Sequence, residues 1–275
     1  MFEIDDFYVN NDISKIDLNK VKEKYNYFKN ASIPESYLKK HFKVLLQEND
    51  NKTMYKKKES DISPLQKFWT LRFIDMAENN YDNLLKNNYS LIDKNDLKKI
   101  INISKGDNVI YKIKKYLLEK GIHLYFLDSL PRTYIDGAVY LTSYSTIAIG
   151  LTLRFERLDY ILFTLLHELS HIIIHNDYLS DGLISIEDSQ EEIEMEANRF
   201  AKDMIISPQM YRVCLPKKTR ETNDLIDYAD EYNISPILLA GIIRRDLNNY
   251  QIFNEIINNS KISRCDFLWK NIAPS

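Results

Sequence analysis

Two histidines and a glutamate within residues 167–171 have the spacing of a metal-binding catalytic motif. The run reads His-Glu-Leu-Ser-His, so His167 and His171 are four residues apart. In a helix this spacing places both imidazoles on one face, one turn apart, where they can bind the same cation. Glu168 lies about 100° further around the helix and can take a proton from a metal-bound water without being a ligand. The chemistry expected is hydrolysis at a polarised carbonyl, with Glu168 as general base.

The surrounding sequence predicts that this motif lies on a buried helix. Residues 162–174 are apolar except for Thr164 and the polar residues of the motif. Ionisable side chains inside a buried helix are costly unless they have a specific role. We therefore favour a metal site over the alternative, in which the two histidines only form hydrogen bonds within the core.

A catalytic zinc ion needs a third protein ligand, which leaves one position for water. His175 continues the histidine face, but it lies about 12 Å along the helix from His167, too far to share one ion. We expect His175 to cap the helix end instead. The acidic segment 191–201 is the better source, because Glu194 and Glu196 flank its apolar stripe on opposite sides. The helical periodicity alone does not decide which of these two glutamates is the third ligand.

Composition restricts the remaining possibilities. The chain has 275 residues and a formal net charge of −3, without the broad basic surface of a dedicated nucleic-acid binder. Six glycines and seven prolines are few for this length, which favours long helices. We expect Cys214 and Cys265 to be free thiols in a cytoplasmic protein. The sequence offers no apolar run that spans a bilayer and no basic signal-peptide start, so we expect no membrane partner.

The pattern along the chain predicts an α+β fold. Residues 1–60 are expected to form an N-terminal helical extension of two amphipathic helices, followed by a catalytic domain at 61–275. The polar stretch 48–60 is the candidate boundary. Strands are predicted at residues 122–127, 138–142 and 146–151, and helices near 65–76, 109–117, 155–175, 190–206, 224–231, 235–247 and 251–258.

These motifs together resemble the ImmA/IrrE family of metallopeptidases. The HELSH run is followed by Glu-Ala-Asn-Arg-Phe-Ala at 196–201 and Ile-Ser-Pro at 206–208. Further similar stretches lie at residues 130–138, 149–154, 163–167, 234–244 and 249–250. The resemblance implies a gluzincin-like domain in which His167, His171 and Glu196 bind Zn²⁺ and Glu168 is the catalytic base. It also implies a zinc endopeptidase that cleaves a partner protein, in particular a helix-turn-helix repressor, and so regulates transcription.

Other interpretations compete with this one. Residues 1–60 lack the helix-turn-helix pattern that relatives often carry there. Residues 224–247 do resemble a helix-turn-helix and are where DNA would bind, although we expect two ordinary helices packed on the core. A second alternative is a regulator that docks on a repressor without cleaving it. A peptide substrate is expected to pair with residues 146–150 if that strand lies at a sheet edge. Tyr134, Tyr140, Tyr144 and Tyr178 are equal candidates for oxyanion stabilisation.

Overall fold

The computed structural model describes residues 18–29, 33, 35–40, 63–79, 89–179, 183–184 and 191–260. The chain divides into two compact units. The first comprises residues 1–76 and 129–134, and the second comprises residues 77–128 and 135–275. No helix within the described ranges combines the length and the apolar character needed to cross a membrane.

Helices dominate the described residues, and a small sheet accompanies them. The helices are α1 (Asn19–Lys24), α2 (Glu35–Lys40), α3 (Pro64–Asn79), α4 (Lys94–Ile103), α5 (Val109–Glu119), α6 (Leu158–Ile174), α7 (Asn176–Leu179), α8 (Glu191–Ile205), α9 (Pro208–Arg212), α10 (Pro216–Thr219), α11 (Thr222–Glu231), α12 (Pro236–Asp246) and α13 (Asn254–Asn258), with a 3-10 helix at Asn26–Lys29. The strands are β1 (Ile122–Leu127), β2 (Gly137–Leu141), β3 (Ile147–Thr152) and β4 (Leu183–Ile184). The predicted α+β class is confirmed.

In the first unit, the start of α3 follows from local chemistry. The Ser63 hydroxyl accepts a hydrogen bond from the Gln66 backbone amide at 3.2 Å, and the Gln66 side chain accepts one from the Ser63 amide at 2.8 Å. This reciprocal pair is a capping box, and Pro64 at the first helical position needs no amide partner. The ring of Phe28 meets Phe68 edge-on with ring centroids 5.5 Å apart, so the 3-10 helix packs on α3 within this unit.

The predicted N-terminal extension is only partly covered by the described residues. The helix predicted near residues 18–30 is present as α1 and the 3-10 helix that follows it. The boundary at residue 60 and the polar stretch 48–60 lie outside the described residues. The division into 1–60 and 61–275 therefore stays a prediction.

In the second unit, the sheet places strand β3 at its centre. The strand order is β1-β3-β2-β4, with β1 parallel to β3 and β2 antiparallel to it. All six residues of β1 and of β3 are buried. The expectation that residues 146–150 form an edge strand is wrong, because β3 is hydrogen bonded to β1 on one side and to β2 on the other.

Helix α6 lies against this sheet and carries the HELSH motif. It packs on strands β2 and β3, on α8 and on α12. Leu162, Leu165, Leu166 and Leu169 are fully buried, because the helix is surrounded by these elements. The prediction of a buried motif helix is confirmed, and its observed bounds are Leu158–Ile174.

The helix pair α11 and α12 packs into the core. Residues Ile237 to Ala240, Ile242 and Ile243 of α12 are all buried. Arg244 is also buried and donates a hydrogen bond to the carbonyl of Tyr250, while the Arg245 guanidinium lies 3.9 Å from the Phe163 ring centroid. A DNA-reading helix needs an exposed polar face. Arg244 is instead buried, and the exposed Arg245 lies against the Phe163 ring. This packing agrees with the expectation of two ordinary helices.

Cys214 is a free, buried thiol, as predicted. Cys265 lies outside the described residues.

Candidate metal centre

The two histidines of the motif point their Nε2 atoms at each other. His167 and His171 are one turn apart on α6, and their Nε2 atoms are 3.1 Å apart. The side chain of His167 is 12% exposed and that of His171 is fully buried. Two imidazoles with converging ring nitrogens are a typical pair of metal ligands.

A carboxylate from α8 completes this group. Glu194 Oε2 lies 3.0 Å from His167 Nε2, and Glu194 Oε1 lies 3.4 Å from His171 Nε2. Glu194 shares a helix face with Ala197 and Ala201, which are both fully buried, and α8 packs on α6. Alanine lets the two helix backbones approach closely, and this approach brings the Glu194 carboxylate to the histidines.

The donor set fits a zinc ion. Ligand atoms about 2.0–2.1 Å from a tetrahedral zinc are about 3.3–3.4 Å from one another. The separations here, 3.0, 3.1 and 3.4 Å, are close to these values. Two imidazoles and one carboxylate also leave one coordination position open. The group His167, His171 and Glu194 could therefore hold a metal ion.

Glu196 does not reach the histidine pair. This residue, which the family resemblance implied as the third ligand, has a side chain that is 67% exposed. Its Oε2 lies 3.4 Å from Nε2 of His175. The physical reason is helical geometry: two residues along a helix correspond to about 200° of rotation, so Glu194 and Glu196 leave α8 in different directions. The structure places Glu194 in the position expected of Glu196.

His175 is the C-cap residue of α6, as predicted. Its backbone amide donates to the His171 carbonyl at 2.9 Å, and its ring Nδ1 lies 3.0 Å from Nδ1 of His171. It therefore contacts the back of a candidate ligand and is not part of the converging group.

Glu168 is completely enclosed beside this group. Burial raises the pKa of Glu168 well above its usual range, and the negative charges of Glu194 and Asp136 raise it further. Its Oε2 has no hydrogen-bond partner among the described residues. A bound cation would favour the ionised carboxylate, because a nearby positive charge opposes both effects. Glu168 therefore has the position and the free lone pairs required of a general base.

Gly137, the first residue of β2, makes room for Glu168. A β carbon at this position would stand 2.4 Å from Oε1 of Glu168, nearer than non-bonded atoms approach. The sequence analysis did not predict this role for Gly137. A glycine directly before an alternating apolar strand can also indicate a close approach by another element.

The described residues do not single out one of the four candidate tyrosines as an oxyanion donor. Tyr140 donates its hydroxyl to Glu78 at 2.8 Å. Tyr134 is 60% exposed and Tyr144 is 43% exposed. The side chain of Tyr178 is outside the described set. The tyrosine prediction is left open.

Comparison with known proteins finds one family model that matches part of the chain. Residues 157–240 match the family model described as the IrrE N-terminal-like domain, a peptidase family. This match supports the resemblance to the ImmA/IrrE family over residues 157–240. A match to a peptidase family suggests a metallopeptidase, and the group His167, His171 and Glu194 could bind its metal ion. Neither a curated protein nor a solved structure matches the chain.

The IrrE-like segment contains every candidate ligand. It begins at the N-cap of α6 and ends within α12, so it includes His167, Glu168, His171, Glu194 and Glu196. Gly137 and the strand that carries it precede the segment.

Proposed function

We propose that this chain is a zinc-dependent endopeptidase with a gluzincin-like catalytic domain. The observation that carries the proposal is the convergence of His167 Nε2, His171 Nε2 and the Glu194 carboxylate within 3.0–3.4 Å of one another, with Glu168 buried alongside. The IrrE-like segment supports the class of chemistry. Glu194 replaces Glu196 in the proposed ligand set.

The roles of the residues follow from this arrangement. When bound, zinc lowers the pKa of a coordinated water and polarises the carbonyl to be cleaved. His167, His171 and Glu194 would hold the ion and leave one position open. Glu168 would accept the proton of the attacking water and donate it to the leaving amine. The enclosure of Glu168 excludes bulk water, which strengthens its electrostatic interactions.

For the substrate, we propose a partner protein in the cytoplasm, specifically a helix-turn-helix repressor. The support is the resemblance of the HELSH and Glu-Ala-Asn-Arg-Phe-Ala motifs to ImmA/IrrE peptidases. Cleavage of such a partner would release the genes that it represses. Because β3 is paired on both sides, a peptide substrate cannot bind by pairing with that strand.

The metal site is tested by measuring the zinc content of purified wild type, Glu194→Ala, Glu196→Ala and His171→Ala. We expect about one zinc per chain in wild type, zinc lost from Glu194→Ala and His171→Ala, and zinc retained by Glu196→Ala. Zinc lost from Glu196→Ala but kept by Glu194→Ala would restore the original ligand assignment. A wild type that binds no zinc after reconstitution would refute the peptidase proposal.

Turnover is tested separately with Glu168→Gln, which keeps the size of the side chain but cannot accept the proton. Cells that produce the wild type should contain new protein termini that are missing from cells with Glu168→Gln, although both proteins hold zinc. A repressor among the cleaved proteins supports the proposed substrate. The same cellular effect from both proteins, without new termini, would favour a docking regulator.

A further inference from the structure

We propose that His175 and Glu196 form a hydrogen-bonded positioning pair that fixes His171 in the tautomer with its proton on Nδ1. This inference rests on the proposed metal site and assigns a role to the two residues that the sequence analysis left as a helix cap and a ligand. Neither residue is placed among the ligands. Both act through His171.

The contacts form a continuous chain that leads away from the metal group. His171 Nδ1 lies 3.0 Å from His175 Nδ1, and His175 Nε2 lies 3.4 Å from Glu196 Oε2. His171 is fully buried and His175 is 6% exposed, whereas Glu196 reaches the surface. This series of hydrogen bonds therefore begins at a carboxylate in contact with water, Glu196, and ends at a buried candidate ligand, His171.

When both histidines are neutral, the available protons allow only one donor-to-acceptor direction along these two hydrogen bonds. An ionised carboxylate only accepts hydrogen bonds, so His175 must carry its proton on Nε2 to donate to Glu196. Neutral His175 then has a lone pair on Nδ1 and accepts from Nδ1–H of His171. Nε2 of His171 is left with a free lone pair, and this is the atom that faces His167 and Glu194.

Helix α8 provides both carboxylates that this arrangement needs. Glu194 reaches His171, and Glu196 reaches His175 one turn further along α6. His167 has no equivalent support, because its Nδ1 is buried without a hydrogen-bond partner among the described residues. The positioning pair therefore distinguishes one candidate ligand from the other.

The pair can be tested through zinc affinity. His175→Phe keeps a ring but removes the acceptor, whereas His175→Gln keeps an acceptor for the His171 proton. Competition with a chelator should show zinc binding about 10–100-fold weaker in His175→Phe and substantially restored in His175→Gln. Glu196→Ala should also lower the zinc affinity, although this variant should still hold about one zinc per chain when zinc is in excess. Glu192→Gln, which changes an exposed carboxylate on the same helix, should not. Equal zinc affinity in wild type and His175→Phe would overturn the proposal.

A second measurement is independent of metal and of turnover. Histidine ¹H–¹⁵N NMR spectra of the metal-free protein should show His171 as a single Nδ1–H tautomer in wild type and as a mixture in Glu196→Ala. Because Glu196 is exposed, this variant should fold. If wild type binds no zinc, the proposed function fails, but the tautomer of His171 still tests the positioning pair. An unchanged tautomer in Glu196→Ala would refute the positioning pair.

Discussion

A methyl group at position 137 would lie 2.4 Å from Oε1 of Glu168. The first residue of β2 and the proposed base of α6 are thus in contact without any space between them. The glycine is required here for its small volume, because its backbone is not in the left-handed region.

Gly137→Ala should therefore displace Glu168 and abolish most cleavage while zinc is retained. We also expect a loss of about 1–3 kcal/mol in the free energy of unfolding, the usual range for overpacking. Denaturant unfolding and zinc content measure the two effects. Gly106→Ala is the matched control, because its nearest atoms would be 3.8 Å away. In a Glu168→Ala background, Gly137→Ala should lower the free energy of unfolding only slightly. An equal loss of this free energy in both backgrounds would contradict the contact between Gly137 and Glu168.

Zinc should raise the stability of the second unit, because the folded chain brings together ligands that are separate in the unfolded chain. At free zinc about 100-fold above its Kd, the expected gain is about 2.7 kcal/mol. Thermal unfolding with zinc and with a chelator measures it. The gain should vanish in Glu194→Ala, and persistence of the full gain in that variant would exclude Glu194 as a ligand.

Arg244 should matter for stability and not for DNA. Arg244→Ala leaves the Tyr250 carbonyl without its donor and opens space in the core, so we expect a loss of about 2–4 kcal/mol. Arg245→Ala removes a contact with the Phe163 ring at a more exposed site and should cost about 0.5–1 kcal/mol. Urea unfolding tests both values. Salt-sensitive DNA binding by wild type, lost in a folded Arg245→Ala variant, would support the helix-turn-helix alternative instead.

Acid should weaken the packing of α12 through Asp246. Burial alone would raise the pKa of Asp246, but hydrogen bonds from Lys202 and Tyr211 outweigh burial and hold the pKa below its usual range. A depressed pKa in the folded state means that the stabilisation is fully present at neutral pH. The stabilisation is lost as the pH falls through the range of the unfolded and then the folded pKa.

Urea midpoints measured from pH 7 to pH 3 should therefore fall more steeply in wild type than in Asp246→Asn. Asp227→Asn, at an exposed position on α11, is the control and should follow wild type. The same slope for wild type and Asp246→Asn would show that the Lys202 and Tyr211 contacts do not depress this pKa.

The sequence predicted the strongly patterned elements well. The segment 122–127 is rich in β-branched and aromatic residues and forms β1 with the predicted bounds. The two-residue strand β4 is too short to leave a pattern. Helix α4 was missed although its start was readable: Asp93 and Asp96 form a capping box there.

The choice between Glu194 and Glu196 shows what periodicity cannot decide. The large residues Ile193 and Phe200 determine where the centre of the apolar stripe of α8 is predicted to lie. Glu194 and Glu196 then lie at equal angles on opposite sides of this centre. In the structure Ala197 and Ala201 are fully buried, whereas Phe200 is only partly buried. The distance between two packed helices depends on the size of the side chains between them, and a hydrophobicity pattern does not contain this information.

The burial of α6 has a consequence for how activity can be controlled. Eleven of the 17 residues of this helix are buried, including Glu168 and His171. Backbone amides in such a segment exchange with solvent only when the surrounding structure opens, so those of Glu168 and His171 should be among the slowest to exchange. A centre this deeply buried gives an effector little surface through which to change its geometry. We expect any switch to act on entry of the substrate and to leave the geometry of the centre unchanged.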